Sequence, residues 1–161
     1  MSKPFAVTFG VVALIIAGIV WYAFYDTKGN HLAPTGSIGK VRTIAAADDL
    51  TFMVIDFHVK NDSDRDMVVR TIEVSVDTND GQTITGSNVA ASDIDNAFKS
   101  YPLLGEKFNP VMRERDKVPA HQELDRMVGI RFDAAAPKIE SRKRVTLHLL
   151  DVTGAEVVMT K

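Results

Sequence analysis

Three aspartates at two-residue spacing are the first residues in this sequence that could bind a ligand. Asp62, Asp64 and Asp66, followed by Glu73, match the acidic positions one, three, five and twelve of a calcium-binding loop. Closely spaced carboxylate oxygens are the ligands that a hard cation prefers. The sixth position is Met67, however, where such a loop needs glycine for its sharp turn. We therefore interpret the segment as a solvated turn between two strands.

The four histidines are the other candidate metal ligands. They are widely separated, at His31, His58, His121 and His148, and none stands at the spacing of a known zinc pair. His58, together with Asp56 on the same segment, could meet His148 from another strand on one outer face. This leaves a metal site as an alternative, while the pattern itself predicts no bound metal.

Catalytic motifs are missing from the sequence. No serine occupies a Gly-x-Ser-x-Gly elbow, and the chain contains no cysteine that could act as a thiol nucleophile. No glycine-rich phosphate loop is present either. We therefore predict that the protein is not an enzyme and that it needs no cofactor.

Two basic clusters could contact anionic partners. The clusters comprise Arg113, Arg115 and Lys117, and then Lys138, Arg142, Lys143 and Arg144. Acidic residues interleave with the first cluster, and the second flanks a strand as a charged turn would. We interpret both as solvated surface, with contact to anionic lipid headgroups as the alternative. The chain has a net charge of −2, and this acidic balance argues against a nucleic-acid partner.

An uninterrupted apolar run, Phe5 to Tyr25, precedes all of these residues. At about 1.5 Å per residue, its roughly 21 residues give about 31 Å of helix, close to the hydrocarbon thickness of a bilayer. A cleaved secretory signal has a shorter apolar part and small residues at the cut, where Trp21 stands here. We predict an uncleaved signal anchor over residues 1–25, with Trp21, Tyr22 and Tyr25 at the membrane interface.

The flanking residues suggest an orientation for this anchor. Lys3 lies on its N-terminal side, and a short tail before a long domain favours a cytoplasmic N-terminus. The expected protein is a single-pass inner (cytoplasmic) membrane protein with its domain in the periplasm and the lipid bilayer as a partner. Proline and glycine without periodicity mark residues 26–36 as a linker, and residues 37–161 then suffice for one domain.

Alternation of apolar and polar residues dominates that domain. Thr71 to Asp77 alternates cleanly, and Leu50 to Lys60 alternates while its first half is apolar on both faces. Tight turns separate most of these segments. We predict a mainly β fold, an antiparallel immunoglobulin-like β-sandwich of about seven strands with one short helix. The predicted strands are Ile38–Ala45, Leu50–Lys60, Thr71–Asp77, Gln82–Thr85, Leu124–Asp133, Arg144–Val152 and Ala155–Thr160.

One segment departs from this alternation. Ser92 is predicted to cap a short helix that ends at Tyr101, before Pro102. Leu103 to Ala120 follows without a period, although it contains many apolar residues, and long irregular segments in compact domains are often functional. Two interpretations stay open: a plug in one open end of the sandwich, or a docking surface. The candidate partner-binding residues are Leu103, Leu104, Phe108 and Met112.

Two stretches carry a family resemblance. Phe52 through Asp66, in which a strand ends at Lys60 and Asn61 before a polar turn, resembles small bacterial immunoglobulin-like domains and the water-stress domains of late-embryogenesis-abundant proteins. Val118 to Phe132 is similar to a later strand of such domains, which follows a proline-containing turn. The resemblance implies an extracytoplasmic or lipid-anchored binding module of the β-sandwich type, related to secreted antigens.

The sequence thus predicts a membrane-anchored extracytoplasmic binding or scaffolding module. We expect it to be an accessory component of a cell-envelope or membrane protein assembly, with other envelope proteins as partners and no nucleic acid. Two alternatives stay open, namely a small-ligand or metal-binding protein at the membrane surface and a stress-protective domain.

Overall fold

The computed structural model describes residues 12–22 and 34–161. The chain divides into two units, Met1–His31 and Leu32–Lys161. In the first unit, residues 12–22 are helical (α1), with apolar side chains that are exposed. Among the residues that the structure describes, no helix is long and apolar enough to cross a membrane. The predicted anchor, Phe5 to Tyr25, extends beyond the described residues at both ends, so it stays a prediction.

The second unit is a β-sandwich of two antiparallel sheets. In the first sheet the strand order is β1-β2-β7-β5, and in the second it is β4-β3-β8-β9, with β6 beside β3. The strands are β1 Thr35–Ala47, β2 Leu50–Asn61, β3 Met67–Asp77, β4 Thr83–Thr85, β5 Ser87–Asn88, β6 Lys117–Val118, β7 Gln122–Phe132, β8 Arg144–Asp151 and β9 Glu156–Thr160. The helices are α2 Ala91–Ser100 and α3 Ala136–Glu140, and a 3-10 turn covers Pro102–Leu104.

The main core lies between the two sheets, as the alternating sequence predicts. In β3, Ile72, Val74 and Val76 are buried in this core while Glu73 is exposed. Side chains on successive strand residues point to opposite faces, so the two-residue period alone assigns the buried side. All seven predicted strands are present, with ends that differ by a few residues.

A second and smaller core lies on the outer face of the first sheet. Helix α2 and the chain that follows it cross this face, and we call residues 91–112 the cap segment. The buried members of the second core are Ile44, Phe52, Val54, Ile94, Leu104 and Met127. This layer explains why the first half of β2 is apolar on both faces: one face lines the main core and the other lies under the cap segment.

Three details differ from the sequence predictions. Helix α2 begins at Ala91, and its cap is Ala90 without a side-chain hydrogen bond, so Ser92 lies inside the helix and does not cap it. Helix α3, with Pro137 in its first turn, is absent from the predicted elements. Finally, the long segment after Pro102 is not confined to one open end of the sandwich: Leu104 is buried on the outer face of the first sheet, whereas Met112 and Val118 enter the main core.

Candidate functional site

A buried ion pair fastens the cap segment to the first sheet. Arg42 of β1 and Asp56 of β2 point outward from the sheet, and their side chains are 6% and 8% exposed. The Arg42 Nη2 donates to an Asp56 carboxylate oxygen at 2.5 Å. The Arg42 Nη1 donates to the carbonyl oxygens of Leu104 at 2.8 Å and Glu106 at 2.7 Å. One arginine thus joins the sheet to two backbone positions of the cap segment.

Further contacts to the same two side chains complete the attachment. The Asn109 amide donates to the second Asp56 oxygen at 2.9 Å. The Arg42 guanidinium lies 4.9 Å from the centre of the Phe98 ring and 5.6 Å from that of Phe108. Stacking on aromatic faces suits a guanidinium, which is planar and more weakly hydrated than an ammonium. Together these contacts fix the backbone from Leu104 to Asn109.

A glycine lets α2 lie close to the sheet. Gly129 of β7 faces α2, and a Cβ atom built there would lie 2.5 Å from a side-chain carbon of Ile94 and 3.2 Å from the ring of Phe52. Ile94 is fully buried in the second core. The absence of a side chain at Gly129 therefore provides the space that Ile94 fills.

The structure separates the four predicted partner-binding residues into two groups. Leu104 and Met112 are 1% and 3% exposed, in the second core and the main core respectively. Leu103 and Phe108 are 91% and 59% exposed. Leu104 and Met112 therefore anchor the cap segment, and only Leu103 and Phe108 are available to a partner. Trp21 and Tyr22 of the predicted membrane interface are exposed on α1, whereas Tyr25 lies outside the described residues.

Basic side chains border the two exposed apolar residues. The Lys40 ammonium lies 5.3 Å from the centre of the Phe108 ring. The Lys107 ammonium contacts Asp95 of α2 at 2.5 Å, and this hydrogen bond lowers the pKa of the Asp95 carboxyl from its ordinary value. The ion pairs within residues 34–161 include neither Lys40 nor Lys99. The Lys40 ammonium is therefore a positive charge beside Phe108 without an ion pair among the described residues, and the exposed Glu106 lies in the same segment.

An open groove lies beside the cap segment, where α2 begins. Its volume is about 670 Å³, and its lining is mainly apolar. The Asn88 amide within it donates to the carbonyl oxygen of Ile72 at 2.7 Å. Residues from β5, α2, β7 and the chain after Pro110 form its walls, among them Val89, Ala91, Val111, Arg113 and Val128.

The histidines do not form the alternative metal site. His58 contacts Asp125 at 3.0 Å on the first sheet, and His148 contacts Glu156 at 2.5 Å on the second. Asp56, expected beside His58, is buried with Arg42. Within the described part of the chain, no group of three or more acidic or histidine side chains is arranged to hold a metal ion. His31 lies outside the described residues.

The three aspartates of the turn after β2 point to different partners. Asp62 pairs with Lys60, Asp64 with His121, and Asp66 with Lys117. The buried Asn61 occupies the centre of the turn instead. Its amide donates to the carbonyl oxygens of Arg65, Val118 and Pro119, at 2.7, 2.9 and 3.3 Å. Of the Lys60 and Asn61 that carried the family resemblance, Asn61 thus has a structural role, while the three aspartates of the turn are exposed.

No family model matches the chain, and no curated protein matches it. The similarity to immunoglobulin-like and water-stress domains therefore stays a prediction. The chain is similar to several solved structures. The archaellum periplasmic stator protein FlaG from Sulfolobus acidocaldarius is 11% identical, with 81% of this chain and all of that chain covered and a TM-score of 0.35. An uncharacterised β-sandwich protein from Clostridium difficile 630 is 14% identical, with 81% and 80% covered and a TM-score of 0.37.

The third similar structure is the complex of the stator proteins FlaF and FlaG from Sulfolobus acidocaldarius. It is 11% identical, with 78% of this chain and 87% of that chain covered and a TM-score of 0.35. At these identities and TM-scores, none of the three similarities carries information about what this chain binds.

Sequence reasoning missed the residues that hold the site together. The sequence analysis does not single out Arg42, and it places Asp56 on an outer face with His58. The outward face of β2 could have revealed these residues, because it begins with the apolar Phe52 and Val54 and continues with the carboxylate of Asp56. A charged residue next to an apolar stretch that must be covered needs a buried partner.

Proposed function

We propose that this chain is a membrane-attached binding module, not an enzyme, whose cap segment presents Leu103 and Phe108 to another envelope protein. The observation that carries the proposal is the combination of two exposed apolar side chains with a backbone fixed from beneath by Arg42 and Asp56. Single exposed apolar residues are ordinary on protein surfaces, so exposure alone would not suffice.

The fixed backbone is what makes these two residues suited to binding. Association costs the entropy of every loop and side chain that must be ordered, and a surface already held in its bound conformation avoids part of that cost. Leu103 lies next to Leu104, whose carbonyl oxygen accepts from Arg42, and Phe108 lies next to Asn109, which donates to Asp56. Apolar anchors of this kind account for much of the binding energy of known interfaces.

The expected partner has an apolar pocket with acidic residues around it. Lys40 supplies positive charge beside Phe108, and opposite charges at the rim of an interface improve specificity and association rate. An acidic rim on the partner would therefore complement this surface.

The test pairs binding with stability. The variant Leu103→Ala/Phe108→Ala should lose the co-purified partner in mild detergent, and its unfolding free energy should fall by no more than about 1 kcal/mol. The matched control is Val158→Ala, which truncates a half-exposed apolar residue on β9 of the other sheet and should retain the partner. Retention of the partner by the double variant, or collapse of its fold, would refute the docking role.

Membrane attachment is the second part of the proposal. The length of the apolar run from Phe5 to Tyr25 supports it, and so do the exposed apolar side chains of residues 12–22. The orientation that we propose has a cytoplasmic N-terminus and a periplasmic domain. The protein should resist carbonate extraction and retain residues 1–25 by intact mass, and protease added to spheroplasts should reach the domain. A mature form that begins near Asp26 would contradict the anchor.

We also propose that the sandwich is of the immunoglobulin-like type. The strand order supports this assignment, because β1-β2-β7-β5 corresponds to the A-B-E-D sheet of an immunoglobulin-like sandwich and β3-β8-β9 corresponds to its C-F-G sheet. A crystal structure with a different strand order would contradict it.

The groove beside α2 supports a second candidate, a small-ligand binder. Volumes of about 300–1,000 Å³ with apolar walls are usual for ligand sites, and this groove has about 670 Å³. An apolar fluorescent dye should bind there, and Ala91→Phe should displace it by filling the groove. Equal dye binding by both proteins would remove this candidate.

A further inference from the structure

A recess with concentrated positive charge lies beside the turn between α3 and β8. Its volume is about 310 Å³. The chain reaches it through α3, turns at Ser141 and continues into β8, and the Lys143 N–H donates to the carbonyl oxygen of Asp77 at 2.7 Å. We call it the basic recess, and its polar lining consists of Glu140, Arg142, Lys143, Arg144 and Lys161.

The cations of the basic recess lack the acidic partners that other basic residues of this domain have. Among the ion pairs within residues 34–161, none includes Arg142, Lys143 or Arg144. The nearby Lys138 is different, because it contacts Asp80 at 3.2 Å. The recess therefore holds excess positive charge although the whole chain has a net charge of −2.

The other basic cluster, Arg113 to Lys117, differs because Glu114 and Asp116 alternate with its cations along the chain. Lys117 contacts Asp66 at 3.7 Å. The backbone N–H of Arg113 donates to the Asp116 carboxylate at 2.8 Å, so an acidic side chain lies within this cluster. No comparable arrangement of carboxylates surrounds Arg142 among the described residues, where Glu140 is the acidic side chain in the lining.

Arg142 is the group best suited to bind an anion. Its Nη1 donates to the carbonyl oxygen of Ile139 at 3.0 Å, which orients the guanidinium at the end of α3. Burial lowers the pKa of the Arg142 guanidinium from its ordinary value, and the charge of Glu140 opposes this effect. A guanidinium has five N–H donors in a planar fork that matches the oxygens of a phosphate or carboxylate. A partly dehydrated guanidinium gains more from such an anion than a fully hydrated one does.

We propose that the basic recess binds a phosphate-type oxyanion, with Arg142 as the oriented donor and Lys143, Arg144 and Lys161 as the surrounding charges. A phosphate group has a charge close to −2 and several acceptor oxygens, which suits a site with more cations than carboxylates. The group could belong to a small soluble phosphate or to a phospholipid headgroup. The recess is independent of the docking surface around Leu103 and Phe108, so each stands without the other.

The experiment uses the full chain in a neutral detergent at low ionic strength, where surface charges are least screened. Isothermal titration with inorganic phosphate tests the soluble source, and dihexanoyl phosphatidylglycerol below its micelle concentration tests the headgroup. The variant Arg142→Gln/Lys143→Gln removes two charges from the recess. The matched control, Arg113→Gln/Lys117→Gln, removes two charges from the other basic cluster, where acidic residues alternate with the cations. The single variant Lys143→Gln changes only an exposed side chain, so a loss of binding in it cannot result from a folding defect caused by replacing Arg142.

We expect saturable binding of phosphate that weakens at least tenfold in the recess variant, weakens measurably in Lys143→Gln, and changes less than twofold in the control. Tighter binding of the short-chain lipid than of phosphate would assign the site to a headgroup, and equal or weaker binding would assign it to a soluble phosphate. Absence of saturable binding by both probes would overturn the proposal, and so would an equal loss in the recess variant and the control. Leu103→Ala/Phe108→Ala, the variant that tests the docking surface, should not change phosphate binding.

Discussion

Replacing Arg42 with methionine should detach the cap segment and destabilise the domain. Methionine keeps an aliphatic chain against Phe98 but leaves the Asp56 carboxylate, 8% exposed, with the Asn109 amide as its remaining hydrogen-bond partner. The backbone carbonyls of Leu104 and Glu106 lose their donor as well. Removing one partner of a buried pair costs about 3–5 kcal/mol, because an uncompensated charge remains.

The double variant Arg42→Met/Asp56→Leu shows whether the buried charge causes this loss. Replacing both members of a buried pair with apolar residues is often close to neutral, so the double variant should be more stable than Arg42→Met. The coupling free energy in the cycle should then be at least about 2 kcal/mol. The exposed pair between Lys107 and Asp95 is the control, and Lys107→Met should change the unfolding midpoint little.

The fragment from Thr35 to Lys161 offers a direct assay, because Tyr101 is its single tyrosine and it has no tryptophan. Tyr101 ends α2, so its fluorescence in urea reports on the cap segment, while far-ultraviolet circular dichroism reports on the sheets. In Arg42→Met the fluorescence transition should precede the circular-dichroism transition. Coincident transitions with an unchanged midpoint would refute the reasoning, as would a double variant less stable than either single one.

Three other predictions concern the main core, the packing of α2 against Gly129 and the dependence of stability on pH. Val74→Asp should lower the free energy of unfolding by more than about 4 kcal/mol, since it buries an unpaired charge. Glu73→Lys, at an exposed position, should lower it by less than about 1 kcal/mol. Equal losses in denaturant melts would mean that the register of β3 is wrong. Gly129→Ala should cost about 1–3 kcal/mol by overpacking against Ile94, and adding Ile94→Val should recover part of that loss in the same melts. Burial raises the pKa of the Asp151 carboxyl, but hydrogen bonds from neighbouring hydroxyl and backbone N–H groups outweigh it and hold the pKa below its ordinary value. This carboxylate should therefore stabilise the fold above about pH 4 and lose that effect as the pH falls through the lowered pKa. On acidification, the urea midpoint of Asp151→Asn should fall less than that of the unsubstituted protein. Parallel pH profiles of the two proteins would contradict this prediction.

The sequence alone predicted the sheets because their periodicity is local. In Thr71 to Asp77, each side chain's face follows from its position, and the structure has the same residues inside. The turn after β2 could also be interpreted locally, since Met67 stands where a calcium loop needs glycine. Asp56 could not be assigned this way, because the alternation in β2 gives its face but not what covers that face.

Only the tertiary structure decided how the candidate site is built. Arg42 and Asp56 are 14 residues apart, and Arg42 reaches the Leu104 carbonyl 62 residues further on, so no sequence spacing reveals the cluster. The same contacts bury Leu104 and leave the adjacent Leu103 exposed, although both are leucines in one irregular segment. Composition and periodicity predict which elements form, whereas burial in an irregular segment depends on long-range packing against a sheet whose outer face that segment must cover.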